Sequence, residues 1–364
     1  MARDASRPAQ ALQGCLLGTA AGDSVGLPFE NLSRRSVGAL MREPLRQSLV
    51  GGWGLVSDDT EHSVMVLLSL QGAVEDESRF ARALARRLRW WMAALPPGVG
   101  SATVRSVFKL WLGVSPARSG VASAGNGAAM RAAVLGVVFA GDPDRLRTFV
   151  RASTHVTHRD PRALEAALAV AVAAACAARR VPSSTSMARH AAWRDAFAGV
   201  SADLPPMSAE LVSLQAAIDA DQSLARFAET IGCADGVSGY ALHTVPVALL
   251  AWMRHGDDFR AAVTETIRCG GDTDSTAAIV GGLVGAGVGV DGVPREWTGR
   301  LLEWPRNGAW MRGLCVALAS RRRFTHPLAE CAHWPWQLLR NLAMLIVVLG
   351  VWVRRTLLVV ARQS

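Results

Sequence analysis

The chain has 364 residues, half of them hydrophobic, and a net charge of +9. That length and composition suit one large core or two ordinary ones, and with aromatics at only 6% and little β-branched alternation they favour an all-α protein over a β-rich one. The charge does not point to a dedicated nucleic-acid-binding module. Lys109 is the only lysine, an arginine bias typical of GC-rich coding, and runs such as Arg86-Arg87-Leu88-Arg89 and Arg321-Arg322-Arg323 read as solvated faces, although a phosphorylated substrate would benefit from the positive field.

In chain order, Met1–Gln10 is polar without a signal-peptide core, and Ala9–Ala21 reads as a helix ending at Gly22-Asp23. Gly22–Glu30 reads as a loop marked by Gly26 and Pro28, and Glu30 in isolation reads as a surface glutamate. Gly51-Gly52-Trp53-Gly54 leads into Ser57-Asp58-Asp59-Thr60, which stands before a helical run over Glu61–Leu70. Phe80–Leu95 is an amphipathic helix with Leu84, Leu88 and Trp91 facing in, stopped by Pro96-Pro97-Gly98. Ser123–Arg131 is a glycine-rich turn feeding a helix; its N–H groups suit a phosphate, but an ordinary helix start looks the same.

Asp142–Ser153 and the alanine-rich Arg162–Arg180 read as helices on either side of the turn Thr157–Pro161, where a lone His158 is more often structural than functional. Val181–Ser186 and Ser201–Ser208 read as linkers around a peripheral segment. Gly236–Tyr240, a turn holding the only tyrosine, precedes a helix over Ala241–Arg254. The helix Asp257–Cys269 delivers Gly270-Gly271-Asp272-Thr273-Asp274-Ser275-Thr276, and Thr273–Val284 follows as a helix. Glycine costs about 1 kcal/mol against alanine in a helix, so Gly281, Gly282, Gly285, Gly287 and Gly289 imply close helix approach near the centre of a bundle. Pro294–Leu302 reads as a helix with proline at its first position. One helical domain over residues 1–320 and an apolar tail over 321–364 are expected.

In the tail, Leu342–Val353 is uninterrupted apolar, about 18 Å as a helix against the roughly 30 Å of a bilayer core. Leu338–Ala361 reaches that length but includes Arg340, Asn341, Arg354 and Arg355, and His333-Trp334-Pro335-Trp336 is similar to an interfacial aromatic anchor. Three readings stand side by side: a helix docked on the body or on a second subunit, an interfacial helix, and a poor transmembrane span. The six cysteines are scattered, form no CxxC and have no histidine cluster beside them, as expected of reduced, buried thiols in a cytosolic protein without a zinc site.

The two acidic clusters carry the chemistry. Asp58, Asp59, Asp272 and Asp274 are flanked by hydroxyls at Ser57, Thr60, Ser275 and Thr276, and each pair stands at a helix start. Either pair alone reads first as a helix cap. Brought together, four carboxylates about 5 Å apart would repel by about 3 kcal/mol per pair at an effective dielectric near 20, a cost that divalent cations remove. Oxygen donors of this kind suit Mg²⁺, Mn²⁺ or Ca²⁺ rather than zinc, and four carboxylates can hold two ions.

The segments Gly18–Glu30, Ser57–Thr60, Gly125–Arg131, Thr157-His158, Gly239-Tyr240 with Thr244-Val245-Pro246, and Gly271–Ser275 occur together in the order found in ADP-ribosylglycohydrolases. Over about Gln13 to Leu302 the chain resembles that family, which includes the dinitrogenase reductase-activating glycohydrolase. The resemblance implies an all-α, compact multi-helix bundle around a dinuclear site for two Mg²⁺ or Mn²⁺, here with an extra apolar C-terminal helix. It implies Ser57, Asp58, Asp59, Asp272, Asp274 and Ser275 as metal ligands, with serine at Ser57 and Ser275 where relatives often carry threonine. Gly125, Asn126, Gly127, Met130, Arg131, His158 and Tyr240 correspond to the ADP-ribose pocket, with the Gly125–Gly127 N–H groups on the pyrophosphate.

The implied reaction is cleavage of the glycosidic bond between ADP-ribose and a protein side chain or nucleic acid. The cations hold the ribose 2- and 3-hydroxyls, and a water deprotonated by Asp59 or Glu30 attacks the anomeric carbon through an oxocarbenium-like transition state. The alternative is a non-catalytic ADP-ribose-binding or structural protein on the same scaffold; the presence of all four carboxylates argues against it. The expected location is the cytoplasm, with the tail as a candidate membrane tether.

Overall fold

The computed structural model describes residues 2–179, 185–326 and 334–363. Among them the chain forms helices and isolated bridges but no strand. The centre is an antiparallel pair, the N-terminal helix Ala2–Gly26 against the glycine-rich helix Thr273–Val288. Their contact is backbone on backbone. A Cβ on Gly14 would lie 2.1 Å from the Gly285 oxygen, on Gly18 2.2 Å from that of Gly281, on Gly22 2.0 Å from that of Ala277, and on Gly26 2.5 Å from that of Thr273. The close approach expected from the glycine run is therefore present.

It also corrects the sequence reading at Gly22–Glu30. The helix does not stop at Gly22-Asp23 but runs to Gly26, followed by a short 3-10 turn at Leu27–Phe29. The packing against Ala277 and Thr273 outweighs the local preference of glycine for a turn. Around this pair stand the buried alanine-rich helix Pro161–Arg179 and the helix Ala241–His255.

Asp58 and Asp59 lie inside the first turn of the helix Asp58–Leu70, with Ser57 as its N-cap, rather than ahead of it. Leu84, Leu88 and Trp91 of the helix Glu77–Ala93 are buried as expected. The helix expected over Pro294–Leu302 shrinks to Arg295–Thr298, because the backbone of Leu301 and Leu302 instead pairs with Gly54. The linker expected at Val181–Ser186 lies for the most part outside the described residues, as do Cys331 and His333. The segment after it is not peripheral: the helix Ser186–Val200 buries Trp193 and Phe197, and the Trp193 indole donates to Ala169 O at 3.0 Å. The five cysteines among the described residues are buried free thiols, and burial raises the thiol pKa of each.

The C-terminal helix spans Trp334–Gln363. Its first part docks on the body through polar side chains. Gln337, Arg340, Asn341 and Met344 are buried, and Met344 packs with Leu27 and Leu55 in a small apolar cluster of its own. Arg340 donates to Val56 O at 2.6 Å and to Glu303 at 2.9 Å, with Glu61 at 3.8 Å, while Asn341 donates to Ala94 O at 2.8 Å.

Candidate active site

The start of the Asp58 helix is held by an acid from another helix. Asp23, near the end of the N-terminal helix, accepts from Ser57 N at 3.0 Å, from Thr60 N at 3.2 Å and from the Thr60 hydroxyl. These donors are the free N–H groups of a helix N-terminus, which a carboxylate stabilises. Burial nonetheless pushes Asp23 up to about 6, against the pull of those hydrogen bonds.

Across from it, the turn Gly270-Gly271, with φ of +72° and +81°, brings in the second acidic pair. Gly271 N donates to Leu32 O at 2.8 Å, and Asp272 N donates to Val237 O at 2.7 Å, so the turn is sewn to two neighbouring loops. Positive φ at two successive positions, with backbone atoms within 3 Å of any added Cβ, is a demand that only glycine meets.

The clusters converge. Carboxylate oxygens of Asp23, Asp59 and Asp274 lie within 4.8 Å of one another, all three residues buried. Asp58 and Asp272 line one cleft with Glu30, Asp274 and Ser275. At such separations each like-charge pair costs roughly 3 kcal/mol. Accordingly Asp58, Asp59 and Asp274 are held well above the usual carboxylate range, by burial first and then by their acidic neighbours.

Hydrogen bonds do not relieve the crowding. Asp59 Oδ2 accepts from Ser57 Oγ at 2.9 Å and Ser275 Oγ at 3.1 Å, but Asp59 Oδ1 and Asp274 Oδ1 are buried with no donor among the described residues. Buried carboxylate oxygens are rarely left so. An all-oxygen donor set with two unserved lone-pair atoms fits a hard divalent cation. Asp23 is differently placed: its oxygens already serve three donors, so its geometry suits holding the Asp58 helix more than holding an ion.

The cleft encloses about 630 Å³. Gly125, Asn126, Gly127, Met130 and His158 form one wall, Glu30 and Asn31 another, and Asp235, Gly236 and Ser238 a third. Asn126 Nδ2 donates to Asp272 at 2.7 Å, tying the glycine-rich turn to the acidic floor.

The family model for ADP-ribosylglycohydrolases matches residues 4–327. The chain belongs to the ADP-ribosylglycohydrolase family. It is 30% identical over 280 residues to an uncharacterized protein of Archaeoglobus fulgidus, covering 75% of this chain and 86% of that one. It is 25% identical to the ADP-ribosyl-[dinitrogen reductase] glycohydrolase of Rhodospirillum rubrum, over 79% of this chain and 89% of that one, and 25% identical to the ADP-ribosylhydrolase ARH3 of Homo sapiens, over 80% and 89%. A solved ADP-ribosylglycohydrolase-related protein complex superposes with a TM-score of 0.64 at 26% identity, covering 87% of this chain and all of the other. The family and these relatives make the protein a hydrolase of ADP-ribosyl linkages.

Within this glycohydrolase, three expected pocket features sit elsewhere. Arg131 is fully buried beneath the cleft, not in it. Its guanidinium donates to Gly127 O at 2.8 Å, Ser153 O at 2.8 Å and Thr157 Oγ1 at 2.7 Å, so it braces the turn Asn126–Arg131 from behind. Tyr240 turns away from the cleft; its ring lies under the Arg162 guanidinium, 5.7 Å away. The N–H cradle expected at Gly125–Gly127 is partly spent, since Gly125 N donates to Ser123 Oγ at 3.3 Å and Asn126 N to Gly239 O at 3.0 Å. What the glycines supply is room: a Cβ on Gly127 would come within 3.1 Å of the His158 ring.

His158 borders the cleft and is held neutral, down to about 3, by burial and by the Arg131 charge. The residue that sequence reasoning missed is Asp23. It stood in the matched segment Gly18–Glu30 without a role, at a point read as a helix end.

Proposed function

We propose that this glycohydrolase cleaves ADP-ribose from a modified protein side chain with the help of two divalent cations, Mg²⁺ or Mn²⁺. Asp58, Asp59, Asp272 and Asp274, with the Ser57 and Ser275 hydroxyls, are the residues that would hold them. The observation that carries this reading is the pair of buried, donorless oxygens, Asp59 Oδ1 and Asp274 Oδ1, within a cluster of mutually repelling acids. Bound cations would supply Lewis-acid polarisation of ribose hydroxyls and make water at the site more acidic.

The chain's own residues do the rest. Asn126 orients Asp272 through its amide, and Gly125 and Gly127 leave space beside His158 for the substrate. Of the two candidate bases, Glu30 lines the cleft, whereas Asp59 is fully buried with one oxygen already accepting two hydroxyls. Glu30 is thus the better placed to take a proton from attacking water, and Asp59 to act as ligand. His158, held neutral by burial and the Arg131 charge, borders the substrate space as an uncharged ring.

The acceptor class follows from the charge of the cleft. Its lining holds Glu30, Asp58, Asp235, Asp272 and Asp274 and, among the described residues, no lysine or arginine. A nucleic-acid acceptor would bring further phosphates to these carboxylates, while a protein side chain would not. The test is a panel of arginine-, serine- and DNA-linked ADP-ribosyl substrates, with free ADP-ribose measured in Mg²⁺, in Mn²⁺ and after chelation. Cation-dependent release from protein-linked substrates is expected. No release from any of them, or release undiminished by chelation, overturns the reading.

A further inference from the structure

Away from the cleft, the C-terminal helix presents a surface that the enzymatic reading does not use. It lies beyond the residues that the family model matches. It is also built inside out. A helix on a soluble body turns its apolar stripe to the core and its polar face to water. Here Gln337, Arg340 and Asn341 face the body and are buried, whereas Leu339, Leu342, Leu345, Ile346 and Leu349 are between 43% and 72% exposed.

The rim of this face is aromatic. Trp336 and Trp304 meet edge to face at 5.7 Å, both about half exposed, and Trp53 is exposed on the loop whose Gly54 pairs with Leu301. Indoles with an apolar body and one N–H donor favour the boundary between water and lipid.

Charge selects the occupant. After Glu330 the sequence contains no acidic residue, but it carries Arg340, Arg354, Arg355 and Arg362. Arg340 is already neutralised by Glu303, which leaves three arginines in the distal half of the helix. By its sequence the tail after Glu330 is wholly basic, so a second copy of it offers no complementary charge, whereas an anionic surface does. A spanning arrangement conflicts with the docking of Gln337–Met344 on protein, which keeps lipid from surrounding that part of the helix.

We propose that the C-terminal helix lies in the plane of an anionic phospholipid surface, with Leu339, Leu342, Leu345, Ile346 and Leu349 in the acyl boundary and the catalytic body seated on its polar side. Burial of such a face, with arginines near the headgroups, is the energetics of an interfacial amphipathic helix. The proposal is independent of the acceptor and of the metal.

The test uses the full chain in vesicle flotation, with phosphatidylcholine alone and with one quarter phosphatidylglycerol. The wild type is expected to float with the anionic vesicles about tenfold more than with the neutral ones, and to lose this preference in high salt. Leu342→Glu/Ile346→Glu/Leu349→Glu is expected to lower the bound fraction at least about tenfold, with an unchanged thermal melt. The lipid preference of the wild type needs no variant, so a variant that folds poorly does not blunt the test. Three results overturn the proposal: a wild type that stays out of the lipid fraction, equal flotation on both lipids, or a dimer in lipid-free buffer that the triple substitution dissociates while vesicle binding is absent.

Discussion

Two buried acidic clusters flank the start of the helix Asp58–Leu70, and they are finished in opposite ways. On one side Glu61 and Glu303 meet Arg340, and the Trp91 indole donates to Glu61 at 2.8 Å. The chain closes this cluster with its own cation. On the other side Asp23, Asp59 and Asp274 gather without an ion pair among the described residues, and two oxygens are left without donors. Arg340 reaches Asp23 only through space, and its ion pairs stay in the first cluster. A buried acidic site left open next to one that is closed is what a site for an external cation looks like.

The comparison can be broken most sharply at Arg340. Arg340→Met leaves Glu303 and Glu61 buried without a counter-charge, and a loss of about 3–5 kcal/mol in unfolding free energy is expected by denaturant titration. Adding Glu303→Gln should return part of it. If Arg340→Met costs nothing, the closed cluster is not closed by charge.

The open cluster gives the next effect. Asp274→Ala should lower cation-dependent ADP-ribose release by more than about 100-fold, and calorimetry should show weakened Mn²⁺ binding. Because it removes a mutual repulsion, it should not destabilise the metal-free protein. That sign is opposite to the Arg340 result and separates the two clusters.

Gly281→Ala puts a methyl 2.1 Å from the Gly18 oxygen. It should cost about 1–3 kcal/mol, read from the melt, and loosen metal binding as well, since the helix that shifts is the one carrying Asp274. Asn126→Ala removes the donor 2.7 Å from Asp272 and should weaken metal affinity about tenfold with little change in stability.

pH probes both clusters at once. Burial holds Asp23 at about 6 and Glu303 at about 7, and Asp58, Asp59 and Asp274 are raised as well. Acids with raised folded-state pKa bind protons more tightly folded than unfolded. The stability these acids contribute is therefore fully present at and below the ordinary carboxylate range and is lost as pH rises through about 6 and 7. His62 and His158, held neutral by burial, act in the opposite sense and cost stability as pH falls below about 6.5. Scanning calorimetry of the chelated protein should show this fall, and saturating Mn²⁺ should reverse it at neutral pH. A metal-free melt that climbs with pH above about 6.5, where the histidines no longer titrate, contradicts the open cluster.

Much of this was legible in the residues, for identifiable reasons. Either acid pair alone reads as a helix cap; it is the resemblance of the ordered motifs that pairs Asp58 and Asp59 with Asp272 and Asp274 across more than 200 positions. Asp23 could not be placed with them, because Gly22 and Gly26 are turn formers by local preference and act as helix residues only against the backbone of Ala277 and Thr273. The family resemblance places Arg131 in the ADP-ribose pocket; its burial among Ser153, Thr157 and Gly127 depends on a neighbouring helix that local sequence does not reveal. The apolar run of the tail was plain, but which of its faces meets the protein was not, since it is the polar one.

The glycines of the central helix pair recur every fourth residue on one side, at 14, 18, 22 and 26, each seated on a carbonyl of the other. Such spacing works as the teeth of a ratchet. The helices can mesh in this register or slip by four residues, about 6 Å, and intermediate settings clash. A slip of that size exceeds the 4.8 Å within which Asp23, Asp59 and Asp274 now gather, and would carry Asp274 out of reach of any ion shared with Asp59. The distance between the acids is thus set by the absence of side chains along the helix seam, from Gly22 beside Asp23 out to Gly14.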